Sequence, residues 1–213
     1  MLTIHVADRV FCGRDEAEAV AVDAGLIIAV GTYEAMVAAR PQARVRRWPG
    51  LLMPGLRHPQ AVALLEAAYH PDPREADELG TEPLTGGALA ALAMDDARWG
   101  ASARRGLQRL LGHGVTAVDG PFVRPVVRTA VARSGLRVRA PRNPGPRETL
   151  SLDPFVGFPL RVLIDEYLTV GGPADFAVFD VPVDELPSRA LRLSGAGSCV
   201  ATVLGGRLVF RRR

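Results

Sequence analysis

Trp48-Pro-Gly-Leu-Leu-Met-Pro-Gly-Leu-Arg-His-Pro-Gln-Ala-Val62 is the stretch that decides how this chain is organised. It contains Pro-Gly twice, at 49–50 and at 54–55, with a short run of apolar residues between the two pairs. Each proline fixes φ and lacks an amide donor, and each glycine permits conformations that other residues avoid. The stretch therefore predicts a rigid crossover between two layers of structure.

The segment before the crossover has the pattern of β-structure. Apolar side chains alternate through residues 2–6, which predicts a half-buried strand with His5 on its exposed face. Two apolar runs flank Asp23-Ala-Gly25, which predicts a hairpin because glycine accepts positive φ. Residues 33–40 then predict a short helix, and residues 45–48 another strand.

The segment after the crossover alternates between helix and strand. The composition predicts helices over 61–69, 89–111 and 123–134, and strands over 115–118 and 136–140. Such alternation is typical of a parallel α/β layer. Residues 71–87 and 141–147 are rich in proline and glycine and predict loops. Strand structure returns at 176–179, and residues 199–210 predict a closing hairpin with Gly205-Gly206 as its turn.

Four motifs, in this order, resemble the amidohydrolase superfamily, especially its imidazolonepropionase-like and aminodeoxyfutalosine-deaminase-like members. They are Val22-Asp-Ala-Gly-Leu-Ile-Ile-Ala-Val-Gly31, His113-Gly-Val-Thr-Ala-Val-Asp119, Val170-Gly-Gly-Pro-Ala-Asp-Phe-Ala-Val-Phe-Asp180 and Val200-Ala-Thr-Val-Leu-Gly-Gly-Arg-Leu-Val-Phe210. Met53-Pro-Gly-Leu56 is similar to the family's entry into its catalytic barrel. Each motif alone is modest, and their shared order makes the resemblance specific.

The resemblance implies an α/β plus β fold with two domains. Residues 1–53 and 164–213 would form a small composite β-sandwich, with a partial TIM-barrel-like α/β domain at 54–163 inserted between them. A complete (β/α)₈ barrel takes about 250 residues, whereas the inserted segment has about 110. We therefore expect a truncated barrel fragment of about three or four βα units.

In the family, the first barrel strand ends in His-x-His, whose two histidines bind zinc or iron. The matching positions here hold Gln60 and Val62, so the resemblance predicts that no metal cofactor is bound. His58 lies two residues before Gln60, and a strand would place both side chains on one face. His58 is thus a candidate ligand, with a surface histidine of the crossover as the alternative.

The other candidate site residues also have structural interpretations. Glu66 and His70 are four apart and would share a helix face, either as an acid–base pair or as a solvated helix end. Asp119 follows a strand that would end at the barrel mouth, where it is either a site remnant or a helix cap. Asp153 is either a remnant of the last barrel aspartate or part of a loop turn.

Composition excludes several other function classes. All 26 basic residues are arginine, so Schiff-base and carbamylated-lysine chemistry are excluded. Aromatic residues make up 6% of the chain and do not interleave with the arginines, which argues against nucleic-acid binding. No apolar run reaches the roughly 18 residues of a membrane span, and the start lacks the pattern of a secretory signal. Cys12 and Cys199 lie in strand-like runs and are expected to be buried thiols, which favours the cytoplasm.

These observations leave three functional hypotheses. The first is an abbreviated amidohydrolase-like protein without metal-dependent C–N hydrolysis, acting as a binding or assembly partner. The second is an active hydrolase or deaminase of a cyclic amide or amidine that uses an altered site. The third is a subunit that completes its barrel with another chain. An open barrel face predicts a homo-oligomer or a protein partner, unless residues 141–163 fold back over that face.

Overall fold

The computed structural model describes residues 1–13, 17–142 and 149–212. The described strands are β1 Thr3–Val10, β2 Ala17–Asp23, β3 Leu26–Gly31, β4 Arg44–Arg47, β5 Leu51–Pro54, β6 Leu56–His58, β7 Val115–Asp119, β8 Arg137–Arg139, β9 Phe176–Phe179, β10 Cys199–Leu204 and β11 Arg207–Arg211. The described α-helices are α1 Tyr33–Ala39, α2 Ala61–Glu66, α3 Ala76–Leu79, α4 Gly86–Ala90, α5 Asp96–Leu111, α6 Pro125–Ser134, α7 Leu160–Leu163 and α8 Pro187–Ser194. Short 3₁₀ turns cover Pro73–Glu75 and Ala196–Ser198.

Strands from both ends of the sequence join in one eight-stranded sheet. Its order is β11-β10-β9-β5-β1-β2-β3, and β4 pairs with β1 beside that path. The N-terminal strands meet the C-terminal strands where β5 pairs antiparallel with β9, with Leu52 opposite Val178. The first Pro-Gly crossover therefore delivers the chain into the centre of this sheet.

The two predicted hairpins are confirmed. β2 and β3 pair antiparallel, and their turn contains Ala24 at φ 48° and Gly25 at φ 85°. β10 and β11 also pair antiparallel, and Gly205 and Gly206 between them have φ of 54° and 73°. Two consecutive positive φ values match the twist of the flanking strands.

Two apolar clusters pack against the strands of this sheet. One contains Ile4 and Val6 from β1, together with Met36 from α1. The other contains Val20 and Phe176 among its fourteen buried members. Successive side chains of a strand point to opposite faces, so β1 and β2 contribute to both clusters.

His5 corrects the expectation of a surface side chain. It is only 1% exposed, its Nδ1 accepts a hydrogen bond from Trp48 Nε1 at 3.2 Å, and its ring meets Phe176 edge-on with a centroid distance of 4.9 Å. Burial, and secondarily the charge of Arg46, lowers the pKa of His5 to about 3. Alternation assigned His5 to the solvent side, but this sheet is covered on both faces.

A second sheet contains β6, β7 and β8 in that order, and β7 pairs parallel with β8. The second Pro-Gly pair thus separates strands of two different sheets, because β5 lies in the large sheet and β6 in the small one. Gly55 is required at this step, since a Cβ there would come within 2.1 Å of the Thr116 side chain. The described strands form no closed barrel.

The prediction of one long helix over 89–111 is wrong in one respect. The structure has α4 ending at Ala90 and α5 beginning at Asp96, with a break between them. The Asp95 side chain caps the start of α5 by accepting from the Arg98 amide at 2.7 Å. The predicted loop at 71–87 also contains regular structure, namely the turn Pro73–Glu75 and helix α3.

The chain divides into two compact units. One contains Met1–Arg57, Leu111–Thr116 and Asp153–Arg213, and the other contains His58–Leu110 and Ala117–Leu152. Cys199 is buried as predicted, and burial raises the pKa of its thiol to about 11, whereas Cys12 is only half-buried. Within the described ranges, no helix has both the length and the apolar character needed to cross a membrane.

Residues 149–163, in the segment expected to cover an apolar face, contain several buried side chains. Leu152 is 7% exposed, Phe158 5%, Leu160 9% and Leu163 0%. Leu160 and Leu163 lie on the single turn of α7. These four apolar residues of the proline-rich segment are therefore buried, and positions 143–148 lie outside the described residues.

Candidate functional site

The end of strand β6 lies next to Gln60 and Val62, the positions at which the sequence resemblance predicts a His-x-His metal motif. His58 is the last residue of β6 and is fully buried, which corrects the interpretation of a surface histidine. Its Nδ1 accepts a hydrogen bond from the Gln60 amide at 3.2 Å, so the ring proton is on Nε2, which donates to the Ser151 carbonyl at 3.0 Å. Both ring nitrogens are therefore engaged by the main chain.

Gln60 and Val62 do not continue the strand. Gln60 is the N-cap of α2, and Val62 lies in the first turn of that helix. Residues two apart share a face on a strand but not on a helix. The expected common face for His58 and Gln60 is therefore wrong. The Gln60 side chain instead donates from Nε2 to the Thr149 carbonyl at 3.1 Å.

Asp119 is the last residue of β7, the strand next to β6 in the small sheet. It is 2% exposed, and its Oδ2 accepts a hydrogen bond from the Arg142 amide at 3.1 Å. The expectation that Asp119 caps the following helix is wrong, because the N-cap of α6 is Arg124. Asp119 instead ties the end of β7 to residue 142, which follows β8.

Glu66, and not Asp119, holds the start of helix α6. Its Oε1 accepts hydrogen bonds from the amides of Val123 at 2.8 Å and Arg124 at 2.6 Å, just before α6 begins at Pro125. The Arg124 amide belongs to the helix end that lacks partners within the helix, and a carboxylate there also favours the helix dipole. Glu66 is thus neither a solvated helix end nor the partner of His70.

His70 lies beyond the end of α2, so it does not share a helix face with Glu66. It is fully buried, and its Nε2 donates to the Leu64 carbonyl at 2.9 Å, while its amide donates to Ser102 Oγ at 2.9 Å. Its Nδ1 has no hydrogen-bond partner among the described residues. Burial lowers the pKa of His70 to about 4, so the ring is neutral at pH 7.

Asp153 forms a loop turn, one of its two predicted interpretations. Its Oδ1 accepts from the Phe155 amide at 2.8 Å, and its Oδ2 accepts from the Ala196 amide at 2.9 Å. A carboxylate that bonds an amide two residues ahead is a standard Asx turn. Within residues 1–13, 17–142 and 149–212, no three His, Cys, Asp or Glu side chains are grouped so that they would hold a metal ion.

A polar network around Tyr69 was not predicted. Tyr69 is 1% exposed, and its hydroxyl donates to Glu75 Oε2 at 2.5 Å. Arg98 pairs with the other Glu75 oxygen at 2.9 Å, and its guanidinium lies 4.8 Å from the centre of the Tyr69 ring. The hydrogen bond from Tyr69, with one from the Asp72 amide, lowers the pKa of Glu75.

One sequence signal for this network was available. Asp72 and Glu75 form a capping box, in which each side chain bonds the other's main chain. The spacing Asp-x-x-Glu is visible in the sequence, but no pattern indicates that Tyr69 and Arg98 converge on the same glutamate. Gln60 and His58 are held by the main-chain carbonyls of Thr149 and Ser151. Every residue has such a carbonyl, so the sequence does not indicate these two partners.

Comparison with known proteins gives similarity at the level of structure only. No protein-family model and no curated protein sequence matches this chain. Over 65% of its length it is similar to the solved structures of Aspergillus niger ochratoxinase, at 21% identity and a TM-score of 0.42, and of an amidohydrolase from a Sargasso Sea sample, at 18% and 0.40. The same coverage holds for Helicobacter pylori aminofutalosine deaminase, at 14% identity and a TM-score of 0.42.

The matched part is a fraction of each of these proteins. The alignments cover 31% of the ochratoxinase chain, 32% of the deaminase chain and 33% of the amidohydrolase chain, so this chain spans about a third of the structures it matches.

Proposed function

We propose that this chain is an abbreviated amidohydrolase-like protein that acts as a binding or assembly partner and does not carry out metal-dependent C–N hydrolysis. The observation that carries this proposal is the start of helix α2 at the position of the family's metal motif. A zinc site needs about three converging N, O or S ligands. Here Gln60 and Val62 supply no imidazole, and the helix turns their side chains to different directions.

The donor chemistry of His58 supports the same conclusion. A metal would need the lone pair of a neutral ring nitrogen, but the Nδ1 lone pair already accepts the Gln60 amide. Binding through Nε2 would displace its proton and the Ser151 carbonyl. The residues present therefore do not fit the family's zinc or iron site, and no reaction step through such an ion follows.

We also propose how the two sheets correspond to the two domains of the family. The eight-stranded sheet would correspond to the family's composite β-sandwich at 1–53 and 164–213, and the small sheet with its helices to a barrel fragment at 54–163. In the described structure, β8 is an edge strand of that fragment, and Val138 on it is 51% exposed. Exposed edges recruit further strands or chains, so we propose a homodimer or a protein partner at this edge.

The metal part is tested by elemental analysis of the purified chain and of a Gln60→His, Val62→His double variant, each after incubation with Zn²⁺ or Fe²⁺ and desalting. We expect far less than one equivalent of metal in both proteins, because restoring the two imidazoles does not make them converge on a helix. One tightly bound ion per chain in the unmodified protein would overturn the proposal. One ion in the double variant alone would contradict the argument from α2.

The assembly part is tested by light scattering coupled to gel filtration at micromolar concentration. A dimer is expected, and a Val138→Lys variant, which places a charge on the exposed edge strand, should reduce the dimer fraction. Val170→Lys, at another exposed valine outside the small sheet, is the matched control. A monodisperse monomer would contradict the proposal that the edge of β8 binds a second copy of the chain.

A further inference from the structure

A cavity of about 720 Å³ opens along one side of helix α5. Its wall on α5 is formed by Ala101, Arg104, Arg105, Gln108 and Arg109. These positions recur at intervals of three and four residues and therefore share one face of the helix. The cavity lies within a single unit of the chain, and its volume is in the range of small-molecule sites, roughly 300–1,000 Å³.

The facing wall is largely apolar. It includes Pro71 and Pro73, which precede α3, and Ala76, the first residue of α3. Asp72 is the one carboxylate in the lining, against three guanidinium groups from α5. The described lining therefore carries an excess of positive charge beside an apolar surface.

Arg105 is held rigidly at this wall. Its Nε donates to the His70 carbonyl at 2.8 Å, and its two terminal nitrogens reach Asp72 Oδ2 and the Tyr69 hydroxyl, each at 3.3 Å. The one carboxylate of the lining is thus already paired. A fixed guanidinium loses little conformational entropy when it binds a ligand.

Arg109 is anchored as well, since its guanidinium donates to the Thr81 carbonyl at 2.7 Å and lies 3.5 Å from a Glu82 oxygen. Arg104 differs from both. Its side chain is exposed, and its guanidinium makes no hydrogen bond or ion pair with any other described residue. Its donors are therefore free to bind an anion, whereas those of Arg105 and Arg109 are largely used.

We propose that this cavity binds a small organic anion, in which a carboxylate or phosphate group pairs with Arg104 and an apolar body lies against Pro71, Pro73 and Ala76. Guanidinium groups match both oxyanions with two parallel N–H···O bonds, which is why the ligand class is defined by the oxyanion. The inference rests on the proposed binding role and gives that role a chemical class of ligand.

The test is isothermal titration of the intact chain with four probes: phenyl phosphate, benzoate, benzyl alcohol and inorganic phosphate. We expect phenyl phosphate or benzoate to bind, and the preference between them identifies the oxyanion. We expect benzyl alcohol to bind far more weakly because it lacks the charge. Inorganic phosphate should also bind more weakly, because it lacks the apolar body.

Arg104→Gln should weaken the preferred probe by roughly tenfold or more, as one charge-assisted pair is lost. The matched control is Arg192→Gln, an exposed arginine on α8 outside this unit, which should leave the affinity unchanged. Ala76→Glu keeps every arginine but adds a negative charge to the lining, and it should weaken binding by a comparable factor.

The inference is overturned if neither phenyl phosphate nor benzoate binds, or if Arg104→Gln binds as tightly as the unmodified chain. It is also overturned if benzyl alcohol or inorganic phosphate binds as tightly as the preferred probe. Metal content is measured on the same samples. A stoichiometric metal ion would contradict the proposed function alone, because the cavity contains none of the residues of the metal motif.

Discussion

The eight-stranded sheet and the helical unit at 58–110 and 117–152 are stabilised by different kinds of contact. In the sheet, the buried side chains are mostly apolar and form two clusters along β1, β2 and their neighbours. In the helical unit, the buried polar groups of His58 and Asp119 are bonded to main-chain atoms distant in sequence, at Ser151 and Arg142. The apolar core of the sheet follows from the side-chain pattern of its strands, whereas these buried polar groups of the helical unit need specific long-range partners.

Removing a large apolar group from the sheet should give the largest effect. Phe176 on β9 is fully buried in the larger cluster. Phe176→Ala should lower the free energy of unfolding by about 3–5 kcal/mol, through lost transfer energy and the cavity that remains. Urea unfolding followed by circular dichroism measures the change.

Phe210→Ala is the control, because Phe210 is only half-buried and lies on the edge strand β11. It should cost clearly less than Phe176→Ala. Equal losses for the two variants would mean that burial in the larger cluster does not determine the stability of the sheet.

Acid should weaken both regions, because each contains a buried neutral histidine. The folded-state pKa values of about 3 for His5 and about 4 for His70 lie below the unfolded value of about 6.5. Between these values the unfolded chain binds more protons than the folded one, so this stability is present above pH 6.5 and is lost as the pH falls. The free energy of unfolding should drop by roughly 3–4 kcal/mol from pH 7 to pH 5.

Histidine ring resonances in NMR spectra check the cause directly. Those of His5 and His70 should keep their neutral chemical shifts down to pH 5. Titration of either ring near pH 6.5 would show that burial does not control its protonation.

Two glycines on α5 should respond in opposite directions to the same substitution. A Cβ at Gly106 would come within 2.6 Å of His70 Nε2, whereas at Gly100 its nearest neighbour would be Arg104 at 3.5 Å. Gly106→Ala should cost about 1–3 kcal/mol despite a better helix propensity, because the buried ring must move. Gly100→Ala should gain about 0.5–1 kcal/mol.

Thermal and urea unfolding of the two variants, side by side, provide the measurement. If both substitutions stabilise the chain, the close approach of α5 to His70 is not a constraint on the helical unit.

Loss of a single cap should give the smallest effect. Glu66→Ala removes the acceptor of the Val123 and Arg124 amides, which should cost about 1 kcal/mol. Glu78→Ala, at an exposed glutamate on α3, should change stability little. Hydrogen exchange of the α6 amides should accelerate only in the Glu66 variant, and unchanged exchange would show that Glu66 does not hold this helix start.

The sequence predicted the hairpins and most strands correctly, because alternation and turn residues are local properties. It failed where the solvent side of a strand was assumed: His5 alternates as an exposed residue, but the sheet is covered on both faces. It also failed at 91–95, where no proline or glycine marks the end of a helix.

For the candidate site, the sequence placed His58, Glu66 and Asp119 near strand and helix ends but predicted the wrong hydrogen-bond partners for Glu66 and Asp119. Glu66 caps α6, and Asp119 is buried at the end of β7. The amides that donate hydrogen bonds to Glu66 lie 57 and 58 residues away from it in the sequence. No local pattern encodes such a pairing.

The sequence by itself determined that Gln60 and Val62 stand where the resemblance predicts two metal-binding histidines, and that two glycine turns close the hairpins of the sheet. Only the tertiary structure decided that a helix begins at those two positions, that both nitrogens of His58 are bonded to the main chain, and that three arginines line one cavity. The physical reason is that residue identity fixes which groups are available, while their partners depend on which main-chain atoms the fold brings within hydrogen-bond distance.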